Sequence, residues 1–226
     1  MRTEADENYL KEIYTLEQDQ QQVTTSMLAE RFGYSPATIT GMLKKLAVHG
    51  WVNYAPYQGV GLTEAGRKIA LQVIRRHRLL ETYLVQVLKV PWEQVHVEAE
   101  RLEHALSDYV EERIDEALGH PEVDPHGAPI PSSSGQVTRV ERLRLSDLMA
   151  REQAEILEVP DRNPELLTHL NQLQLIPGTH IEVMAIEPID GLISLRVSNG
   201  ICTLGQTSAS QIFVKRFDKG EGETPT

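Results

Sequence analysis

The sequence predicts an α+β protein in three parts: an N-terminal winged helix-turn-helix, a helical middle and a small, partly open C-terminal β-barrel. Three observations carry this. Apolar residues recur at helical spacing up to about residue 118, then alternate at period two. Helix start and stop signals crowd the first 63 residues. A Pro/Ser/Gly-rich stretch over residues 119–136 divides the two regimes.

Residues 1–63 form the first expected domain. Tyr9, Leu10, Ile13, Tyr14 and Leu16 give the apolar face of a first helix. Thr24 or Thr25 caps a second, which runs through Met27 and Leu28 to Phe32 and stops at Gly33. Ser35-Pro36 starts a third, because Ser is a good N-cap and Pro suits the first helical position. Ile39, Met42, Leu43 and Leu46 form its buried stripe. Its other face carries Ala37, Thr38, Thr40, Gly41, Lys44 and Lys45, side chains small or cationic enough for close approach to DNA in a major groove. His49-Gly50 ends it, and residues 51–54 and 60–62 flank Pro56-Tyr57-Gln58-Gly59 as a two-stranded wing. Helix, glycine turn, helix and wing read as a winged helix-turn-helix rather than a ligand-free packing module. Ser35, Pro36, Ala37, Thr38, Thr40 and Gly41 at the helix start, with Tyr57 in the wing, are the candidate DNA contacts. Arg31, Lys44 and Lys45 are expected at phosphates, which set register rather than sequence preference.

Charge supports this. The chain carries a net −11, which alone would argue against nucleic acid. Yet residues 31–80 hold eight basic residues against Glu64 alone, a net of +7, and residues 92–124 hold eleven acids against Arg101 and Arg113, a net of −9. One segment suits phosphates and the other suits cations.

Residues 64–122 are expected to be long helices. Thr63-Glu64 caps the first, which runs to about residue 88 and ends before Val90-Pro91. Trp92-Glu93 opens the next, where Val95, Ala99, Leu102 and Leu106 form a stripe that Val110, Ile114 and Leu118 extend. Homodimerisation through residues of about 64–118 is expected, since DNA-binding modules commonly read two half-sites as dimers. His77 and Glu81 stack on one helix, and His96, Glu100, Glu103 and His104 line a face of the next. Imidazoles and carboxylates so arranged suit a divalent cation. The bland reading of His77 and Glu81 is an exposed pair four residues apart; Glu98, Glu111, Glu112 and Glu116 read as a solvated acidic face.

Residues 123–136 are expected to be a linker, residues 137–217 the barrel and residues 218–226 a disordered tail. Residues 164–175 suggest one short helix, and Asp161 before Asn163-Pro164 could be simply its cap. Residues 193–197 and 201–204 flank Ser198-Asn199-Gly200 as a hairpin, residues 179–186 alternate as a strand, and residues 212–216 close the barrel. The single cysteine, Cys202, excludes an internal disulfide and a thiolate-rich metal site. No leader pattern and no apolar run near ~18 residues is present, so the expectation is a cytoplasmic protein without membrane association.

The runs Glu7-Asn8-Tyr9-Leu10-Lys11-Glu12-Ile13-Tyr14, Arg76-His77-Arg78-Leu79-Leu80-Glu81 and His96-Val97-Glu98-Ala99-Glu100-Arg101-Leu102-Glu103-His104 resemble the diphtheria-toxin-repressor family of metal-dependent regulators. The C-terminal part is similar to that family's SH3-like module and to the iron-transport accessory protein FeoA. The resemblance implies a primary metal site of Asn8, His77, Glu100, Glu103 and His104. Position 100 is cysteine in the iron-sensing branch and a carboxylate in the manganese branch, so Glu100 implies Mn²⁺. A sulfur-free set of carboxylates and imidazoles points the same way. Fe²⁺ is the alternative, and other divalent metals could substitute in vitro. Asn8 stands where the iron branch has Met and much of the manganese branch Asp. Lys11 stands where some manganese regulators have a glutamate for a second metal, which argues against a closely shared binuclear site. The resemblance also implies an ancillary site with two alternative compositions: Glu81, Asp124, His126 and Asp161, or a set that includes His96.

The implied function is a Mn²⁺-responsive transcriptional regulator, by default a repressor of manganese uptake, whose homodimer binds operator DNA when metal occupies the His/Glu site. Its rivals are an iron-responsive regulator of the same family, a winged-helix regulator that senses a small organic ligand, and a metal-dependent hydrolase.

Overall fold

The computed structural model describes residues 2–19, 22–55, 58–138 and 140–217. Tyr57 and the tail from residue 218 lie outside the described residues. The chain forms two compact units: residues 1–77, 102–107 and 131–137, and residues 78–101, 108–130 and 138–226.

The first unit holds α1 (Glu4–Asp19), α2 (Thr25–Phe32), α3 (Pro36–Val48), the hairpin β1 (Val52–Ala55) and β2 (Gly59–Leu62), and the start of α4 (Glu64–Gln86). The caps fall where residue chemistry places them. Thr24 accepts from the Met27 amide, Gly33 closes α2 in the left-handed region at φ 66°, and Ser35 accepts from the Thr38 amide. Thr63 accepts from the Gly66 amide at the head of α4. Leu10, Ile13, Leu28, Ile39, Leu43, Leu46, Val52 and Val60 make one core, with Leu10, Ile13, Leu28, Ile39, Leu43 and Leu46 fully buried. Each such side chain stabilises the module by roughly 1.5–3 kcal/mol relative to exposure. The wing pairs Val52 with Leu62 and Ala55 with Gly59.

The second unit holds the rest of α4, most of α5 (Val95–Leu102), α6 (Asp108–Ala117) and the β domain. The helix expected from residue 92 to 118 is interrupted. A turn closed by the Ala105 amide on the Leu102 carbonyl at 3.0 Å breaks it, and Ser107-Asp108, a pair of N-cap residue types, restarts it. Glu103 and His104 therefore lie in a turn, not on the helical face with His96 and Glu100. Glu111, expected on a solvated face, is buried.

The β domain is a six-stranded antiparallel sheet in the order β3-β8-β4-β5-β6-β7, built from β3 (Leu143–Arg144), β4 (Gln153–Glu158), β5 (His180–Ile186), β6 (Ile193–Val197), β7 (Gly200–Leu204) and β8 (Phe213–Arg216). The β6–β7 hairpin turns where Asn-Gly chemistry expects, with Val197 opposite Gly200. Helices α7 (Pro164–Gln172) and α8 (Gln206–Ala209) and a 3-10 turn at Leu145–Asp147 complete it. Asn163, not Asp161, caps α7, by accepting from the Leu166 amide at 3.0 Å. Ala154, Ile156, Leu167, Leu170, Ile181, Val183, Leu195 and Val214 form the core, against which Trp92 packs.

The segment expected as a loose linker is partly docked. Asp124, His126, Ala128 and Ile130 are buried. The Val159 amide donates to the His126 carbonyl at 2.9 Å. At Gly127, φ is 90° and a Cβ would lie 1.8 Å from the Leu157 carbonyl oxygen, so only glycine allows this approach.

Candidate metal centres and nucleic-acid interface

In the first unit, successive turns of α1 present Glu7, Asn8 and Lys11 toward His77 of α4 and the 103–104 turn. Glu103 is 1% exposed. Its Oε2 lies 2.5 Å from His77 Nδ1, its Oε1 2.6 Å from Lys11 Nζ and 3.4 Å from His104 Nε2. His104 spans the group: Nδ1 is 2.5 Å from Glu7 Oε2 and Nε2 2.9 Å from the Asn8 amide oxygen. Burial pushes the Glu103 carboxyl up, but His77 and Lys11 hold it below the usual range. Glu7 is likewise held low against burial by its hydrogen bond with His104 and the charge of Arg2, which sits 2.6 Å away. Oxygen and imidazole nitrogen, with no sulfur, suit a hard divalent ion. Of the five residues expected in the primary site, Asn8, His77, Glu103 and His104 come together here. Glu100 belongs to the second unit, where its Oε1 lies 3.5 Å from His96 Nε2 and its side chain is 46% exposed. Glu7 and Lys11 were not among the five. Glu7's only sequence signal is its place beside Asn8, whereas Lys11 takes the position where a second metal would need a carboxylate.

In the second unit, Glu81 is fully buried and serves as a hub. Its Oε1 is 3.2 Å from His96 Nδ1 and its Oε2 3.7 Å from His126 Nδ1, while Asp161 Oδ2 stands 3.5 Å from His96 Nδ1. The two alternative compositions of the ancillary site therefore meet on one carboxylate and do not exclude each other. Asp124 Oδ1 accepts from the His126 and Ala128 amides at 2.8 and 3.0 Å, a tight local turn that fixes the carboxylate. His126 Nε2 donates to the Trp92 carbonyl at 2.9 Å, and the two rings stack with centroids 5.4 Å apart. That hydrogen bond sets the ring's orientation and aims Nδ1 inward, the way backbone carbonyls orient metal-bound histidines. His126 Nδ1 and Asp124 Oδ2 are buried and make no hydrogen bond. Ligand atoms of Glu81, Asp124 and His126 all lie within 4.8 Å of one another. These residues fit a divalent cation.

The crowding of carboxylates dominates their ionisation. Burial drives the His96 imidazole toward neutrality, yet Glu100 and Glu81 bring its pKa up to about 10. His126 rises to about 9 against burial, through Glu81 and Asp124. Burial and the charge of Glu81 push Asp124 up to about 7. A cation entering this group displaces protons.

The start of α3, expected to face DNA, is open. Ser35, Pro36, Ala37, Thr38, Gly41 and Lys44 are exposed and Thr40 is half-buried. Nothing lies within 4 Å of where a Gly41 Cβ would be, so that surface is clear for close approach. Arg31 and Lys45, expected at phosphates, pair within the module: Arg31 Nε with Glu12 Oε1, and Lys45 Nζ with Asp6 Oδ1, each at 2.6 Å.

The description "Iron dependent repressor, N-terminal DNA binding domain" matches residues 1–60, "Iron dependent repressor, metal binding and dimerisation domain" matches residues 63–132, and "FeoA domain" matches residues 143–216. The iron-dependent repressor IdeR of Mycobacterium bovis is 31% identical over 189 residues, covering 78% of this chain and 82% of that protein. A solved manganese-dependent transcriptional repressor in complex with manganese superposes with TM-score 0.89 at 38% identity, covering 94% of this chain and all of that one. The structure of ScaR with bound Cd²⁺ gives 0.82 at 33% identity, over 94% of this chain and 99% of that one. Among the described residues, no helix is long and apolar enough to cross a membrane.

Proposed function

The chain belongs to the diphtheria-toxin-repressor family of metal-dependent, DNA-binding transcriptional repressors, and from that premise we propose that its effector is Mn²⁺ and that it works in the cytoplasm on operators of manganese-uptake genes. It is a dimerising DNA-binding protein and not an enzyme. The observation that carries the manganese reading is the donor set. Both clusters consist of carboxylates, imidazoles and one amide, and the single cysteine stands half-buried on β7, in neither of them. The manganese-bound relative at 38% identity supports the same choice.

Glu7, Asn8, His77, Glu103 and His104 would hold one ion, and Glu81, Asp124, His126, His96 and Asp161 another. Bound there, a divalent cation supplies positive charge to buried carboxylates. This chain's own residues do the rest. Glu7 and Asn8 are on α1, the helix whose Leu10 and Ile13 form the core of the DNA-binding module, so ligation ties that module to the 103–104 turn and fixes the placement of α3. Because metal and DNA then favour one arrangement, each tightens the other's binding, by about 5–150-fold for a coupling of ~1–3 kcal/mol.

The test is a DNA-binding titration on the gene's own upstream region with Mn²⁺, with Fe²⁺ under anaerobic conditions, and with chelator. Tighter binding with Mn²⁺ than with Fe²⁺ is the expected result. A preference for Fe²⁺, which the likeness to IdeR makes the specific alternative, would move the protein to the iron branch. Equal affinity with metal and chelator would remove the switch.

A further inference from the structure

Three ion pairs radiate from α1, each to a different element: two within the DNA-binding module and one to the head of the helix that follows it. Asp6 meets Lys45 of α3, Glu12 meets Arg31 of α2, and Glu17 meets Arg67 of α4, all at 2.6 Å. The pairs share an asymmetry. The carboxylate side chains are 0, 6 and 18% exposed, whereas the cations are 43, 40 and 43% exposed. The anions are inside, while the long cationic side chains carry their heads to solvent, within reach of an approaching phosphate. Asp6 is additionally fixed by the Thr3 amide on its Oδ2 at 3.0 Å, and Glu17 by the Leu62 amide on its Oε1 at 2.8 Å, so the carboxylates are built into place.

We propose that Asp6, Glu12 and Glu17 form a charge latch that holds Lys45, Arg31 and Arg67 in internal ion pairs and so limits the cationic charge the module offers to DNA phosphates. A phosphate approaching from solvent competes with an α1 carboxylate for each cation. On α3 this leaves Lys44, exposed and without an ion pair among the described residues, as the unopposed charge. The benefit is discrimination: phosphate contacts bind any sequence, so withholding them lowers non-specific affinity and leaves selection to the small side chains at the start of α3. The latch helix also carries Glu7 and Asn8. The proposal rests on the DNA-binding assignment but not on the identity of the metal.

The test uses the full chain, a duplex of random sequence and fluorescence anisotropy across a salt series, with Mn²⁺ and with chelator. Glu12→Gln keeps the side chain's shape and frees one cation. It should bind the random duplex about 3–8-fold more tightly near ~0.1 M salt, with a log–log salt slope steeper by up to ~0.9. Glu17→Gln, whose amide oxygen can still accept from Leu62, should behave alike, and carries the test if the Glu12 variant does not fold. Adding Arg31→Gln to Glu12→Gln should abolish the gain. Unchanged or weaker binding in the folded single variants overturns the latch. Wild-type operator binding in the same series reports separately on the metal: indifference to Mn²⁺ there would remove the effector while leaving a tighter Glu12→Gln as support for the latch.

Discussion

Lys11→Met removes the ammonium that faces Glu103. Both residues are buried, at 7 and 1% exposure, and the charges stand 2.6 Å apart. At an effective dielectric near 20, two unit charges at that 2.6 Å separation attract by about 6 kcal/mol. Much of that offsets desolvation, and breaking one side of a buried pair costs a net of about 3–5 kcal/mol. Glu103 keeps the imidazoles of His77 and His104, which places the expected loss toward the lower end. For a chain of this size, ~1 kcal/mol moves a melting transition by about 2–4 °C, so the chelator-treated variant should melt about 6–12 °C below wild type. Saturating Mn²⁺ should return most of that difference, because it resupplies a cation to Glu103. The variant should also bind Mn²⁺ more tightly, having no ammonium to displace. The assay is differential scanning calorimetry with and without metal, alongside a metal titration. Equal melting temperatures with chelator, or an equal gain from Mn²⁺ in both proteins, would refute the reasoning.

Three further outcomes are expected. The pKa values of His96 and His126 stand at about 10 and about 9 against 6.5 unfolded, and that of Asp124 at about 7 against 3.8. Groups raised on folding lose their stabilisation between the unfolded and the folded value, so metal-free stability should fall from about pH 3.8 to 7 through Asp124 and from about pH 6.5 to 10 through the two histidines, measured by denaturant melts in chelator. Mn²⁺ affinity should rise over the same windows, with proton release detectable by calorimetry in buffers of different ionisation enthalpy. Trp92 stacks on His126, so its emission should change on metal binding; Trp92→Phe should remove that change, with Trp51 left as background. Gly127→Ala, with φ at 90° and a Cβ 1.8 Å from the Leu157 oxygen, should cost at least ~1–3 kcal/mol in backbone strain and weaken metal binding by the second cluster, read by metal stoichiometry.

The winged helix-turn-helix was legible because its punctuation is local. Gly33, Ser35-Pro36 and Thr24 each act within a few residues, and Ser198-Asn199-Gly200 does the same for the β6–β7 hairpin. β3 and β4 were not legible. β3 is two residues long, and β4 reads Gln-Ala-Glu-Ile-Leu-Glu, in which Ala154 and Ile156 face the core with too little apolar contrast to stand out. The break after Leu102 carries no glycine or proline, so the apolar stripe ran straight through it. The candidate metal-site residues were visible by type and spacing, and the family resemblance grouped Asn8, His77, Glu103 and His104, but the ion pair that Lys11 makes with Glu103 was not visible. Lys11 and Glu103 are 92 positions apart, and Arg31 and Lys45 gave no sign that α1 would claim them. Asp124 and His126 looked like linker because Pro and Gly flank them; Gly127 is instead what lets the backbone approach β4.

Neither proposed ligand set includes a sulfur atom, which has a chemical consequence for a metal sensor exposed to oxidants. A thiolate ligand is carried by peroxide to sulfenic and then sulfinic acid, and the site loses its donor. Carboxylates, imidazoles and an amide are not on that ladder. Cys202, half-buried on β7 with its thiol pKa raised by burial, is a poor target and holds no ligand position. The proposed donor atoms therefore stay outside thiol chemistry, and occupancy of the proposed sites would report metal concentration rather than the redox state of a cysteine.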